Sequence, residues 1–227
     1  MPRTTPPERL SEIIAATIKV LLHKGYRRTQ MSDISQELGL SAGALYRYVE
    51  GKEALFDLVI RDVAGQRPEA PELPLPNPAP GAILAFVTET IAREDGIPSL
   101  LHALESKAPE DLRAELESIA SELFRATARN QVGLKIIERS AYEWPELAEI
   151  WWNTARQAVV ELLAAYIEKR GDRLHSFPNV EAASRVFTEV TAYYAMHRHY
   201  DPKPTEMTEE EAEATAVAVI VRAFLKE

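Results

Sequence analysis

The chain contains no cysteine. Disulfide staples, a thiolate nucleophile and any zinc site built on sulfur are thereby excluded. No stretch approaches the about 18 uninterrupted apolar residues that a membrane span needs, and residues 1–10 (MPRTTPPERL) lack the basic-then-apolar layout of a secretory signal. A cytoplasmic location is expected. Catalytic signatures are missing too: there is no G-x-S-x-G elbow, no H-E-x-x-H, no G-x-x-x-x-G-K-S/T loop and no G-x-G-x-x-G after a strand. Nor is there strand-like alternation bounded by turns. No enzymatic activity, metal or cofactor is expected, and the spacing of His197 and His199 puts their rings on different sides of a helix. With 46 % hydrophobic and 27 % charged residues over 227 positions, what remains is an all-α chain long enough to bury a real core.

Charge is scarce in one sense only. The net charge is −9, yet residues 1–67 hold ten Lys/Arg against eight Asp/Glu, and the rest of the chain holds 16 against 27. A mildly cationic head on an acidic body permits a polyanion-binding end while the body discourages non-specific adhesion.

Apolar periodicity defines the head. Leu10, Ile13, Ile14, Ile18, Leu21 and Leu22 form one helical stripe, with Gly25 placed as a left-handed C-terminal cap. Met31, Ile34 and Leu38 make a second helix of barely two turns that Gly39 ends. Ser41 is a good N-cap for a third helix through about Val49, with Leu45 and Val49 inward. After Gly51 a fourth helix turns Leu55, Phe56, Val59, Ile60 and Val63 inward. Prolines at 68, 71, 74, 76, 78 and 80 then predict an extended, semi-rigid spacer that marks a boundary. Helical patterning returns over 82–95, 98–106, 109–143 with a break near Gly133, 146–170, 179–199 and 208–226, the last with Thr208 and Glu211 set for a capping box. The expected domains are therefore 1–66, a linker at 67–81, and 82–227.

Two short helices joined by Gly39-Leu40-Ser41 form a helix-turn-helix, the geometry that lays its second helix in the DNA major groove. The small residues Ala42, Gly43 and Ala44 let that helix approach base edges closely. Over residues 13–56 the chain resembles the N-terminal domain of the TetR family of bacterial transcriptional regulators. The likeness rests on Ala15 to Tyr26 of the first helix, Thr29, Asp33-Ile34, Gly39-Leu40-Ser41, Gly43-Ala44-Leu45-Tyr46 and Gly51-Lys52-Glu53. A weaker resemblance covers ERSAYEWPELAEIW in the body. Ala44 stands where threonine is commoner, and Tyr48-Val49 where His-Phe is commoner.

The resemblance implies phosphate contacts from Thr29, Tyr46, Tyr48 and Lys52, and base readout near Ser32, Ser41, Ala42, Gly43 and Ala44, with Gln30 and Arg47 as further candidates. Arg3 and Arg9, in a Pro-containing leader, are placed to reach an adjacent minor groove or to form a solvated tail. It also implies a double-stranded DNA operator and a homodimer released by a hydrophobic small molecule, with repression the expected outcome. Activation, or a helical lipophile-binding protein or enzyme with a borrowed head, are the alternatives. Phe86, His102, Glu105, Phe124, Tyr142, Trp151, Trp152, Tyr193 and Tyr194 are the candidate effector-pocket residues. Ala183, Phe187, Val190 and Tyr194, with Val217, Val221 and Phe224, are the candidate dimer face, because the last two helices carry more apolar surface than one monomer face should show.

Overall fold

A computed structural model describes residues 7–69, 71–93, 97–107 and 109–226. Arg3 therefore lies outside the described residues. Twelve α-helices occur among them: α1 Pro7–Arg28, α2 Met31–Glu37, α3 Ala42–Leu45, α4 Lys52–Val63, α5 Ala82–Arg93, α6 Pro98–Glu105, α7 Leu112–Arg129, α8 Gln131–Ala141, α9 Pro145–Ala148, α10 Gln157–Lys169, α11 Val180–Ala195 and α12 Glu209–Phe224. A π-helical stretch, Glu149–Arg156, separates α9 from α10, and a 3-10 turn, His197–Tyr200, comes after α11. The fold is all-α, as expected. The only β pairing among the described residues consists of two isolated bridges.

Local chemistry accounts for several helix ends. Gly25 interrupts α1 at φ 73°, and Gly39 comes after α2 at φ 64°, both in the left-handed region that penalises a Cβ. Thr208 Oγ1 accepts from the Glu211 amide while the Glu211 carboxylate accepts from the Thr208 amide, completing the capping box at the start of α12. Asp111 and Asn179 cap α7 and α11 by accepting from the amides of Ala114 and Ala182. The break expected near Gly133 in the 109–143 stretch falls at Asn130. Gly133 lies inside α8, where a Cβ would stand 3.1 Å from Val63 Cγ2, so the missing side chain serves close packing.

The chain forms two compact units, and their division differs from the sequence expectation. One comprises Met1–Arg93 with Val132–Trp151; the other comprises Glu94–Gln131 with Trp152–Glu227. The segment 132–151 joins the head through contacts its sequence does not announce. Trp144 stacks on Tyr26 at 4.9 Å and approaches Phe56 at 5.9 Å, while Ser140 Oγ accepts from the Tyr26 amide. The head's own core consists of Ile13, Val20, Ile34, Leu45, Val49, Ala54 and Leu55.

The proline-rich segment is not a free spacer. Leu75 pairs with Val49 in a parallel bridge and packs against that same core. Its amide donates to the Tyr48 carbonyl at 2.8 Å, and its carbonyl accepts from the Glu50 amide at 2.9 Å.

In the second unit α6, α7, α10, α11 and α12 enclose Leu100, Leu116, Ile119, Leu163, Tyr166, Phe187, Ile220 and Phe224. Arg170, its side chain 1 % exposed, donates to both Glu115 carboxylate oxygens and to the Ala103 carbonyl, tying α10 to α6 and α7. A buried charge is tolerated here because its donors are matched.

Candidate nucleic-acid interface

The helix-turn-helix is built around α2 and α3. Ile34 and Leu45 are both fully buried, which fixes the angle at which α3 leaves the turn. Gly39 has no atom within 4 Å of a Cβ built on it, so its positive φ, not crowding, selects glycine. The third helix is shorter than its pattern predicts. Only Ala42–Leu45 is α-helical, and Tyr46 to Tyr48 continue as a turn.

The groups left outward by this arrangement are specific. Ser41, Gly43, Tyr46 and Arg47 are exposed and Ala44 is half-exposed, while Leu45 and Val49 point inward. A Cβ on Gly43 would meet nothing within 4 Å, so nothing inside the protein requires the small residue there. Tyr46 is 49 % exposed and Tyr48 half-buried against the head core, as an i, i+2 aromatic pair on one turn requires. At the start of α2, Gln30 and Ser32 are exposed; the Gln30 amide donates to Asp33 Oδ2, and Ser32 Oγ lies 3.4 Å from Gln30 Oε1. Asp33 also pairs with Lys24 at 2.8 Å. Lys24 first, and the Gln30 amide second, hold the Asp33 carboxyl below the usual carboxylate range.

Two cationic residues frame the surface. Arg47 is exposed and has no ion-pair partner among the described residues. Lys52, first residue of α4, places Nζ 4.6 Å from the centroid of the Tyr26 ring and donates to the Arg27 carbonyl at 3.3 Å. Burial lowers the Lys52 pKa, with nearby Arg27 acting in the same direction against Glu53. Tyr26 is drawn into the same group by its hydroxyl, which donates to Glu53 Oε1 at 3.1 Å; burial, then the Glu53 charge, raise its pKa.

Several expected placements change. Thr29 is 2 % exposed and its hydroxyl donates to the Gly25 carbonyl at 2.7 Å, so its proton is committed to closing the end of α1 and not offered outward. Arg9 belongs to α1, not to a leader; it pairs with Glu12 and stands beside the Tyr48 hydroxyl.

The candidate dimer face is corrected more heavily. Ala183, Phe187, Val221 and Phe224 are 7 %, 1 %, 2 % and 2 % exposed, all within the unit's own core, while Val190, Tyr194 and Val217 are half-buried against it. A residue already covered by its own chain leaves no apolar face for a partner. The outward sides of α11 and α12 instead carry Val186, Tyr193 and Val219, at 55 %, 40 % and 42 % exposure.

The nine effector-pocket candidates are divided between the two units. Phe86, Tyr142 and Trp151 belong to the first unit and the other six to the second. Phe86 packs under the Arg61 guanidinium, 4.4 Å from its ring, and Tyr142 is 70 % exposed. His102 and Glu105 are both exposed on α6. Phe124 and Tyr194 share one small apolar cluster with Ala195, Ala212 and Ala216, and Tyr193 meets Tyr194 edge-on at 5.4 Å. No group of three or more metal-ligating side chains occurs among the described residues.

A head in which two short helices meet at a glycine turn, with a small-residue helix outermost, has helix-turn-helix geometry. Residues 13–59 match the family described as bacterial regulatory proteins, tetR family. The match covers the head alone, 47 of the 227 residues, and takes in all of α2 and α3 and most of α4.

Among curated proteins, the nucleoid occlusion factor SlmA of Glaesserella parasuis is 30 % identical over 116 residues, which is 46 % of this chain and 55 % of that protein. The HTH-type transcriptional regulator BetI of Vibrio vulnificus is 34 % identical over 67 residues, 29 % of this chain and 34 % of that one. The chain thus spans about half the length of the first relative and about a third of the second.

Solved structures share the fold over nearly the whole chain, the following two among them. The ketosteroid transcriptional regulator KstR2 of Mycobacterium tuberculosis has a TM-score of 0.56 at 17 % identity, covering 100 % of both chains. A tetR-family bacterial regulatory protein from Rhodococcus RHA1 has a TM-score of 0.53 at 17 % identity, covering 98 % of this chain and 100 % of that one.

Proposed function

We propose that this chain is a cytoplasmic repressor that binds a palindromic operator as a homodimer, reading bases with α3 and the start of α2 and gripping phosphates from the turn after α3 and from Lys52. The observation that carries this reading is the outward face of α3: Gly43 and Ala44 leave room for close approach, and Tyr46 and Arg47 project beside them. Small side chains admit base edges, while hydroxyl, guanidinium and ammonium groups flank them at backbone reach. The dimer would form through the outward sides of α11 and α12, with Val186 and Val219 as apolar anchors. Two-fold symmetry then sets the heads on matching half-sites about one helical turn apart.

The effector is a hydrophobic small molecule in this reading. Support for its seat is strongest at the Phe124–Tyr194 end of the second unit, where aromatic walls adjoin the small residues Ala195, Ala212 and Ala216. Hundredfold derepression requires the effector to favour the non-binding form by about 2.7 kcal/mol. Selection of bound sites from random duplexes tests the central claim. A palindromic consensus whose binding weakens on Arg47→Ala supports it; retention of no sequence above background rejects it.

A further inference from the structure

Residues 74–78 read Pro-Leu-Pro-Asn-Pro, so only Leu75 and Asn77 carry an amide proton there. Both protons go to one place. Leu75 donates to the Tyr48 carbonyl at 2.8 Å, and Asn77 donates to Glu50 Oε2 at 3.0 Å. The return bonds land on the same corner: the Glu50 amide donates to the Leu75 carbonyl, and the Ala54 amide donates to Asn77 Oδ1 at 3.3 Å. Ala54 is the third residue of α4, whose amide an N-cap side chain ordinarily satisfies. The residue at that cap is Gly51, which has no side chain to offer. A Cβ on Gly51 would lie 2.8 Å from Asn77 Oδ1, so the glycine is the gap through which an asparagine 26 positions downstream reaches the helix end. Prolines on both sides restrict the segment before it docks, which lowers the entropy lost in holding it.

We propose that residues 71–80 are a strap that presets the corner between α3 and α4 for DNA, with Leu75 and Asn77 as positioning residues. The inference rests on the DNA-binding reading above. All four hydrogen bonds fall between Tyr48 and Ala54, the stretch that links Tyr46 and Arg47 to Lys52. Without the strap, the Tyr48 carbonyl and Glu50 amide turn to water and the phosphate-gripping groups lose their common register. Neither residue touches DNA itself.

The test uses the full chain, with its selected operator as probe. Two variants are compared with wild type: Asn77→Ala, and replacement of residues 74–78 by Gly-Ser-Gly-Ser-Gly. Affinity is read by fluorescence anisotropy across salt concentrations, circular dichroism confirms folding at the assay temperature, and amide exchange is followed at Glu50 and Ala54. Asn77→Ala should weaken binding about fivefold, the effect of a lost cap, and the replacement should weaken it further. Both should flatten the salt dependence, because fewer phosphates are neutralised at once, and a merely less stable but otherwise unchanged head would not do so. Should the replacement unfold the head, Asn77→Ala decides alone. Folded variants with wild-type affinity and slope overturn the strap. Wild-type protein that selects no duplex overturns the DNA-binding reading, and the strap with it.

Discussion

The Lys52 ammonium lies over the Tyr26 ring, 4.6 Å from its centroid, and Nζ is 3.3 Å from the Arg27 carbonyl. Because Tyr26 in turn stacks on Trp144, the cation proposed to grip phosphate rests on an aromatic group shared by α1, α4 and the segment before α9. Lys52→Ala should therefore weaken binding to every duplex alike and reduce the magnitude of the salt slope by about 1. Titrations of operator and scrambled DNA at several salt concentrations check this. A loss confined to the operator would place Lys52 in base readout instead.

Ala44 and Ser32 should behave in the opposite way. Ala44→Thr or Ser32→Ala changes the groups offered to base edges without altering charge, so the preferred sequence should shift while the salt slope stays put. Repeating the random-duplex selection with each variant shows whether the consensus moves.

Asp33 should give the head a pH dependence whose sign follows from its partners. Its pKa is lowered from the ordinary 3.8 by Lys24 and by the Gln30 amide, so the folded state favours the carboxylate. That stabilisation is present above the unfolded value and is lost as pH falls through the lower, folded one. Asp33→Asn should be less stable than wild type at neutral pH, and the gap should close below about pH 4. Denaturant midpoints measured from pH 2 to pH 7 test it; a gap independent of pH would assign the effect to the helix cap alone.

Neighbouring residues on α11 should separate folding from assembly. Phe187 is 1 % exposed, and Phe187→Ala should cost about 3–5 kcal/mol of stability through the cavity it leaves. Val186 is 55 % exposed, so Val186→Glu should leave the thermal midpoint of the monomer near wild type while raising the dimer dissociation constant about tenfold or more. Sedimentation and thermal melts on both variants decide it. An unaltered dimer in Val186→Glu would move the interface off this face.

Helix ends were legible where a single residue's own chemistry sets them. Gly25 and Gly39 sit at positive φ where the apolar stripes stop, and Thr208 with Glu211 closes its box three residues apart. The outward part of the head was legible for the same reason: Leu45 and Val49 claim the inside of a short turn, which leaves Gly43, Tyr46 and Arg47 no other side. Periodicity identifies a stripe but not its cover. Ala183, Phe187, Val221 and Phe224 form a true apolar stripe, yet α6, α7 and α10 already bury it, and the few exposed apolar residues opposite were too sparse to register.

Sequence alone determined the all-α class, the helix-turn-helix and the small-residue surface of α3, because these depend on contacts within a few residues or one helical turn. Tertiary structure alone decided that Asn77 caps α4, that Trp144 joins the head, and which face of α11 remains open. Each of those outcomes depends on groups tens of positions apart in the chain, and local spacing carries no information about which distant partner will meet them.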